Sequence, residues 1–324
     1  MWLDKCTVLD WYDDWVVRSN TWETRVPSVI ILKDFMRRRR TPRFSKANVY
    51  IRDLYTCQYC KTPYVADVQL ENGEEILGHS PSLGCCGLAE KDSRVIMSKM
   101  TNSSNKKLVC SHRIDLAVYN ETTADNEDVV TIVGINPKLG ENIAEEALKN
   151  NCIQNLMSVK SYTREVKIMN SRFDFAGIDE TGKPFILEIK NVPLADYVDV
   201  PKKERKHYVT ECENKRFDEK IAYFPDGYRK NSTDVVSPRA LKHIQELEEI
   251  AKKGTIRAIL CFIIQRNDVK HFQTSNVDLV YKKAVYQASQ NGVEIKTIQV
   301  EWTKQGHCYF VRNDLPILLN HEDK

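Results

Sequence analysis

No run of about 18 apolar residues occurs in this 324-residue chain, so no membrane-spanning helix is expected. The opening stretch, "MWLDKCTVLDWYDDWVV", lacks the positive charge that begins an export signal and is acidic instead. Export is therefore not expected. Ten cysteines, at 6, 57, 60, 85, 86, 110, 152, 212, 261 and 308, are scattered. Without an export signal they read as reduced thiols in an intracellular protein, cytoplasmic or nuclear. Internal repeats and long low-complexity tracts are absent, and no sugar-site constellation is found. Strong charge of one sign is missing too, since the net charge is only +3.

That small net charge is unevenly placed. Residues 1–63 hold 12 Lys+Arg and 7 Asp+Glu, a balance of +5, and the remainder holds 36 and 38, a balance of −2. A basic end on a near-neutral body suits a polyanionic partner. With 42% hydrophobic residues the chain can bury a sizeable core, and its length predicts two or more units.

Three zones follow. Residues 1–63 are aromatic and basic, with "FMRRRRTPRFSK" at the centre and "CQYC" near the end. Residues 64–135 alternate polar and apolar in short runs such as "VADVQL", "RVIMSK" and "DVVTIVGI", which predicts a small β unit. From 136 to 318, helices and strands mix. "KLGENIAEEALKNN" has helical spacing, with Leu139, Ile143, Ala147 and Leu148 on one side. "SPRALKHIQELEEIAKKG" offers Ser237 as N-cap, Pro238 at the first helical position and Gly254 as a stop. "IRAILCFIIQ" reads as a buried strand, "DLVYKKAVYQASQNG" as a helix and "VEIKTIQVEW" as a strand, a pattern that predicts a parallel crossover.

The segment "SRFDFAGIDETGKPFILEIKNVPLAD" (171–196) puts charged residues into two apolar runs. Charges there are costly unless something pairs with them. "DETGK" has turn chemistry. If it closes a hairpin with Ile178 opposite Pro184, Asp174 faces Glu188. Facing Cβ atoms lie roughly 5 Å apart, where like charges destabilise the pair. A divalent cation gives two carboxylates a reason to share that place. Lys190, two residues beyond Glu188, projects from the same face. An acid, a turn, then acid-x-lysine on the next strand is the logic of the PD-(D/E)xK nucleases. An exposed strand face of Asp, Glu and Lys is nevertheless ordinary, and the triplet alone is common.

Collinear motifs are more specific. "LENGEEILGHSPSLG", "GINPKLGENIAEEAL", "REVKIMNSRFDF", "LEIKNVPLAD", "AYFPDG", "RALKHIQEL", "FIIQRNDVKHFQ" and "NGVEI" resemble, in order, the motifs of the sugar fermentation stimulation (SfsA) family over about residues 64–300. The resemblance implies an α+β chain, an OB-like β domain followed by a PD-(D/E)xK nuclease-like α/β domain. It also implies DNA binding and a metal-dependent nuclease site. Carried over, Asp174 and Glu188 would hold Mg²⁺ or Mn²⁺, with Lys190 beside the scissile phosphate. Arg172 suits a phosphate contact, and Gln265 and Arg266, ending a buried strand, suit a ligand or backbone contact. Glu165 is a candidate further acid, and His243 a candidate neighbour of the site. Ser82 and Leu83 depart from the family pattern, as does an insertion between Ala195 and Ala222 that carries Lys202, Lys203, Arg205, Lys206, Lys215 and Arg216.

The N-terminal zone resembles something else. "VPSVIILKDFMRRRRTPRFSKANVYIRDLYTCQYC" is similar to the leading part of HNH endonucleases over about residues 26–60. The later histidines and the second Cys-x-x-Cys do not follow, so HNH cleavage is not supported. Cys57 and Cys60 offer half of a Zn²⁺ site, which normally takes four ligands. Arg37, Arg38, Arg39 and Arg40 are expected to contact phosphates. Two functions remain open on the sequence alone. One is a metal-dependent DNA nuclease, and the other is a DNA- or RNA-binding or regulatory protein whose nuclease fold does not cut.

Overall fold

The computed structural model describes residues 6–19, 21–32, 65–81, 88–89, 91–101, 110–122, 128–156, 158–201, 204–208, 215–225 and 234–319. Contacts divide the chain into Met1–Leu54 and Tyr55–Lys324. In the first unit, β1 (Cys6–Arg18) and β2 (Glu23–Leu32) form an antiparallel hairpin. Arg37–Arg40, Cys57 and Cys60 lie outside the described residues.

In the second unit a five-stranded sheet comes first. It comprises β3 (Val65–Gln69), β4 (Glu75–His79), β5 (Arg94–Lys99), β6 (His112–Thr122) and β7 (Asp128–Gly134). The three alternating runs singled out above are β3, β5 and β7. Their apolar residues converge on Ile114, Ala117, Val133 and Ile135.

The larger sheet has six strands in the order β16-β15-β13-β10-β9-β8. These are β8 (Val159–Ile168), β9 (Ser171–Asp179), β10 (Pro184–Val192), β13 (Arg257–Ile264), β15 (Glu294–Trp302) and β16 (Cys308–Arg312). β10, β13 and β15 run parallel, which makes the expected crossover real. A four-stranded sheet, β11 (Ala195–Asp196), β12 (Lys220–Phe224), β14 (Val269–Thr274) and β17 (Ile317–Leu318), lies beside them in chain order β11-β12-β14-β17.

Among the described residues three helices cover the six-stranded sheet. On one face, α1 (Pro137–Lys149) buries Ala144, Ala147 and Leu148 against Phe185, Leu187 and Ile189. Its buried stripe runs through Gly140, Ala144, Ala147 and Leu148, with Ile143 partly buried against the same core, and the absence of a side chain at Gly140 lets the helix approach Asn191 on β10 closely. On the other face, α2 (Pro238–Lys252) and α3 (Leu279–Gln290) pack on Ile186, Val192, Leu260, Phe262 and Ile264. Ser237 caps α2 by accepting from the Ala240 N–H, and Pro238 opens it. Both faces being buried explains why β10 and β13 read as continuous apolar runs. No helix among the described residues is long and apolar enough to cross a membrane.

Candidate functional site

The β9–β10 turn forms for local reasons. Asp179 Oδ1 accepts hydrogen bonds from the Thr181 N–H (3.0 Å), the Thr181 hydroxyl (2.6 Å) and the Lys183 N–H (2.9 Å). Gly182 sits at φ +83°, a conformation that suits glycine. The register that results pairs Pro184 with Ile178 and Leu187 with Phe175. One step further, Asp174 stands opposite Glu188.

The period-two rule then sets the faces. Ile186 and Val192 point into the core under α2 and α3, so Glu188 and Lys190 share that side. Glu188 is 2% exposed. Its Oε1 takes the Lys190 ammonium at 2.5 Å and also meets His243 Nδ1 on α2. Its Oε2 is buried without a hydrogen-bond partner. Burial pushes the Glu188 carboxyl up, but Lys190 and His243 outweigh it and hold the acid below its usual range. Asp174 differs. Its Oδ2 accepts from the Ile189 N–H at 2.8 Å, yet burial first and then the Glu188 charge push its pKa up to about 6.

Asp174, Glu188 and Lys190 line one cleft, whose walls include Glu141 on α1 and Arg239 on α2. Glu141 was not singled out in the sequence. It was one of three acids on an amphipathic helix, and only the packing of α1 brings it to the cleft. Its carboxylate pairs with Lys138 and, at 3.1 Å, with Arg164.

The other sequence candidates are placed elsewhere. Glu165 and Arg172 pair with each other at 3.3 Å, both more than half exposed. Glu165 has φ +54°, an uncommon conformation for a non-glycine residue. Gln265 and Arg266, expected at a ligand or backbone contact, are 0% and 1% exposed. Gln265 bonds Asn191 and Trp302 Nε1 and presses against Gly134 at the end of β7, where a Cβ would come within 1.7 Å of its Oε1. Arg266 grips Asp268 through two bonds of 2.6 and 2.7 Å and donates to the Pro193 carbonyl. Their polar groups are consumed inside the protein. In the insertion, Arg205 is engaged by Asp196 and Tyr223, and Arg216 by Asp218. Lys202 and Lys203 lie outside the described residues.

Among the described residues no group of three or more His, Cys, Asp or Glu side chains is placed to hold a metal ion. The Asp174–Glu188 pair does suit a hard cation that retains its own waters. Mg²⁺ binds through one or two carboxylates, and Glu188 Oε2 is buried without a hydrogen-bond partner.

Known proteins of the same kind exist. The family described as "Sugar fermentation stimulation protein RE domain" matches residues 138–306. A sugar fermentation stimulation protein homolog of Brucella anthropi is 31% identical over 243 residues, covering 74% of this chain and 87% of its own. One from a Geobacter species is 31% identical over 259 residues, covering 79% and 92%. Among solved structures, SfsA of Pyrococcus furiosus in complex with Ca²⁺ shares the fold at a TM-score of 0.57 and 16% identity, covering 79% of this chain and 90% of that one. The chain belongs to the sugar fermentation stimulation family.

Proposed function

We propose that the chain binds nucleic acid and that the cleft between α1 and α2 receives its phosphodiester backbone. The observation that carries this reading is the juxtaposition of Asp174, Glu188 and Lys190 in one cleft, with Glu188 Oε2 buried and unpartnered. Residues 64–135 are read as an OB-like module that holds the strand, residues 136–318 as the nuclease-like domain, and residues 1–63 as a basic extension bringing Arg37–Arg40 to phosphates.

Binding without cutting asks least of the described residues. Three carboxylates line the cleft, but among the described residues no three His, Cys, Asp or Glu side chains are placed to share one cation, and Glu188 is already engaged by Lys190 and His243. Hydrolysis is the second reading, favoured by the unpartnered Glu188 oxygen and by the facing acid on Asp174. In that reading Asp174 and Glu188 would hold Mg²⁺ or Mn²⁺, and the Pyrococcus relative's Ca²⁺ is consistent with a divalent ion on this fold. When bound, the cation supplies an acidified water and neutralises charge growing on the phosphate. Lys190 would stabilise phosphate charge from the same strand face, and His243 would hold the Glu188 carboxylate in its orientation. A proton on Asp174 would have to leave before that side chain became a ligand.

The test is incubation of the full chain with single- and double-stranded DNA and with RNA, in Mg²⁺, Mn²⁺ or EDTA, reading binding and product together. Retained complexes with no product in any metal support binding alone. Product that needs the metal and disappears in Asp174→Asn supports hydrolysis. No complex with any nucleic acid ends both readings.

A further inference from the structure

We infer that Arg239 is a phosphate anchor in this cleft, gripping a backbone phosphate of the nucleic-acid strand beside the Asp174–Glu188 pair; the inference rests on the binding reading above.

The cleft holds three carboxylates, Glu141, Asp174 and Glu188, and two cations, Lys190 and Arg239. The cations differ in what they are free to do. Lys190 is nearly buried and committed to Glu188 at 2.5 Å. Arg239 is exposed and, among the described residues, has no hydrogen bond or ion pair, although its cleft contains acids that would take one. Glu141 is satisfied by Lys138 and Arg164, and Glu188 by Lys190 and His243. Arg239 therefore lines the cleft with its side-chain donors uncommitted to any described residue. A guanidinium fork matches two phosphate oxygens at once.

The position of Arg239 in α2 adds to this. It is the second helical residue, after the Ser237 cap and Pro238. The Ser237 hydroxyl takes the Ala240 N–H, so the Arg239 N–H is left without an acceptor among the described residues. An anion at this place would meet the guanidinium, a free amide and the positive end of the helix dipole together. Glu188, in the same wall, has its Oε2 buried without a hydrogen-bond partner, an oxygen that a counter-cation would satisfy. A carboxylate pair suited to a cation lies on one side, and an uncommitted anion receptor on the other. A phosphodiester with its counter-cation has that polarity. A neutral or cationic ligand does not.

The sequence hid this residue for a physical reason. In "SPRALKHIQEL" the arginine reads as one more solvated charge at the start of an amphipathic helix. Its distinction lies in what does not touch it.

The experiment compares the full-length wild type with Arg239→Ala, Arg239→Lys and Arg312→Ala. Arg312 lies on the exposed edge strand β16, paired with Asp314, so its removal costs the same charge away from the cleft. Affinity for a single-stranded and a duplex oligonucleotide is measured across a salt series, once in EDTA and once at a fixed concentration of Ca²⁺. Arg239→Ala should weaken binding about tenfold, as expected for one charge-assisted contact. Its salt slope should fall by about 0.9 for duplex or 0.7 for single strands, the release from one phosphate. Arg239→Lys should recover part of the affinity and the full slope, and Arg312→Ala should match the wild type. Thermal melting checks that each variant folds. If the wild type binds and Arg239→Ala binds equally well with an unchanged slope, the anchor is disproved while the binding reading stands. Equal losses in Arg239→Ala and Arg312→Ala would overturn it too, by reducing the effect to net charge. A wild type that binds no nucleic acid removes the binding reading and the anchor together.

Discussion

Two buried charge clusters, one on β10 and one just past the end of the neighbouring β13, are built differently. The cluster on β10 joins Glu188, Lys190 and His243, and it opens onto a cleft with one carboxylate oxygen unpartnered. The cluster beyond β13 joins Arg266, Asp268, Lys220 and Glu121. There Asp268 takes two bonds from Arg266 and one of 2.9 Å from Lys220, while Lys220 also meets Glu121 at 2.5 Å and the Phe217 carbonyl at 2.8 Å. Tyr119 and Tyr197 present ring faces to Lys220 at 5.8 and 5.0 Å. The second cluster is closed, and it ties β6 of the five-stranded sheet to the strands β12 and β14 of the four-stranded one. A saturated network holds structure together. An unsaturated one at a cleft retains capacity for a ligand.

The largest effect expected from this difference is on the closed cluster. Asp268→Asn leaves Arg266 and Lys220 as buried cations short of their shared anion. Breaking such a pair costs about 3–5 kcal/mol, read as a large fall in denaturation midpoint. An Asp268→Asn protein as stable as the wild type would dissolve the distinction between the clusters.

His243→Ala comes next. It removes a partner from Glu188 Oε1 and the ring that packs tilted on Phe173 at 5.7 Å. A buried acceptor deprived of one donor costs about 1–3 kcal/mol. Denaturant unfolding at pH 7 measures it. The loss should be smaller than for Asp268→Asn, because Lys190 still meets Glu188.

Asp174→Asn has the opposite sign. The folded-state pKa of Asp174 is about 6, above the ordinary 3.8. The folded protein therefore binds the extra proton between those values, and ionisation of Asp174 opposes folding as pH rises through that window. The asparagine variant should be more stable than the wild type above pH 6, by up to about 2 kcal/mol, with the gain fading to nothing near pH 4. Paired melting curves from pH 4 to 8 would show it. A constant difference across that range would mean that Asp174 is not strained by its neighbours.

The smallest effect belongs to the exposed pair. Arg172→Ala breaks a 3.3 Å bridge between two solvated side chains, and stability should change by less than about 0.5 kcal/mol. A change of several kcal/mol in the same unfolding measurement would give Arg172 a role its surroundings do not indicate.

Local rules carried part of the molecule in advance. The β9–β10 hairpin follows from an Asp-Gly turn and from side chains that alternate with period two, which is why the register around Asp174 and Glu188 could be counted from residue letters. Ser237 and Pro238 open α2, and Gly254 and Gly292, both at positive φ, follow α2 and α3, because caps depend on neighbours only a few residues away. The alternating runs of residues 64–135 became strands for the same reason. Tertiary packing decided the rest. Gln265 and Arg266 emerge from an apolar strand in either case, but whether they meet solvent or protein depends on Gly134, Asn191, Asp268 and Trp302. Glu141 and Arg239 lie about a hundred residues apart and reach one cleft only because α1 and α2 pack on the same sheet. Backbone periodicity sets which way a side chain points, but partners distant in the chain decide whether its charge is already spent.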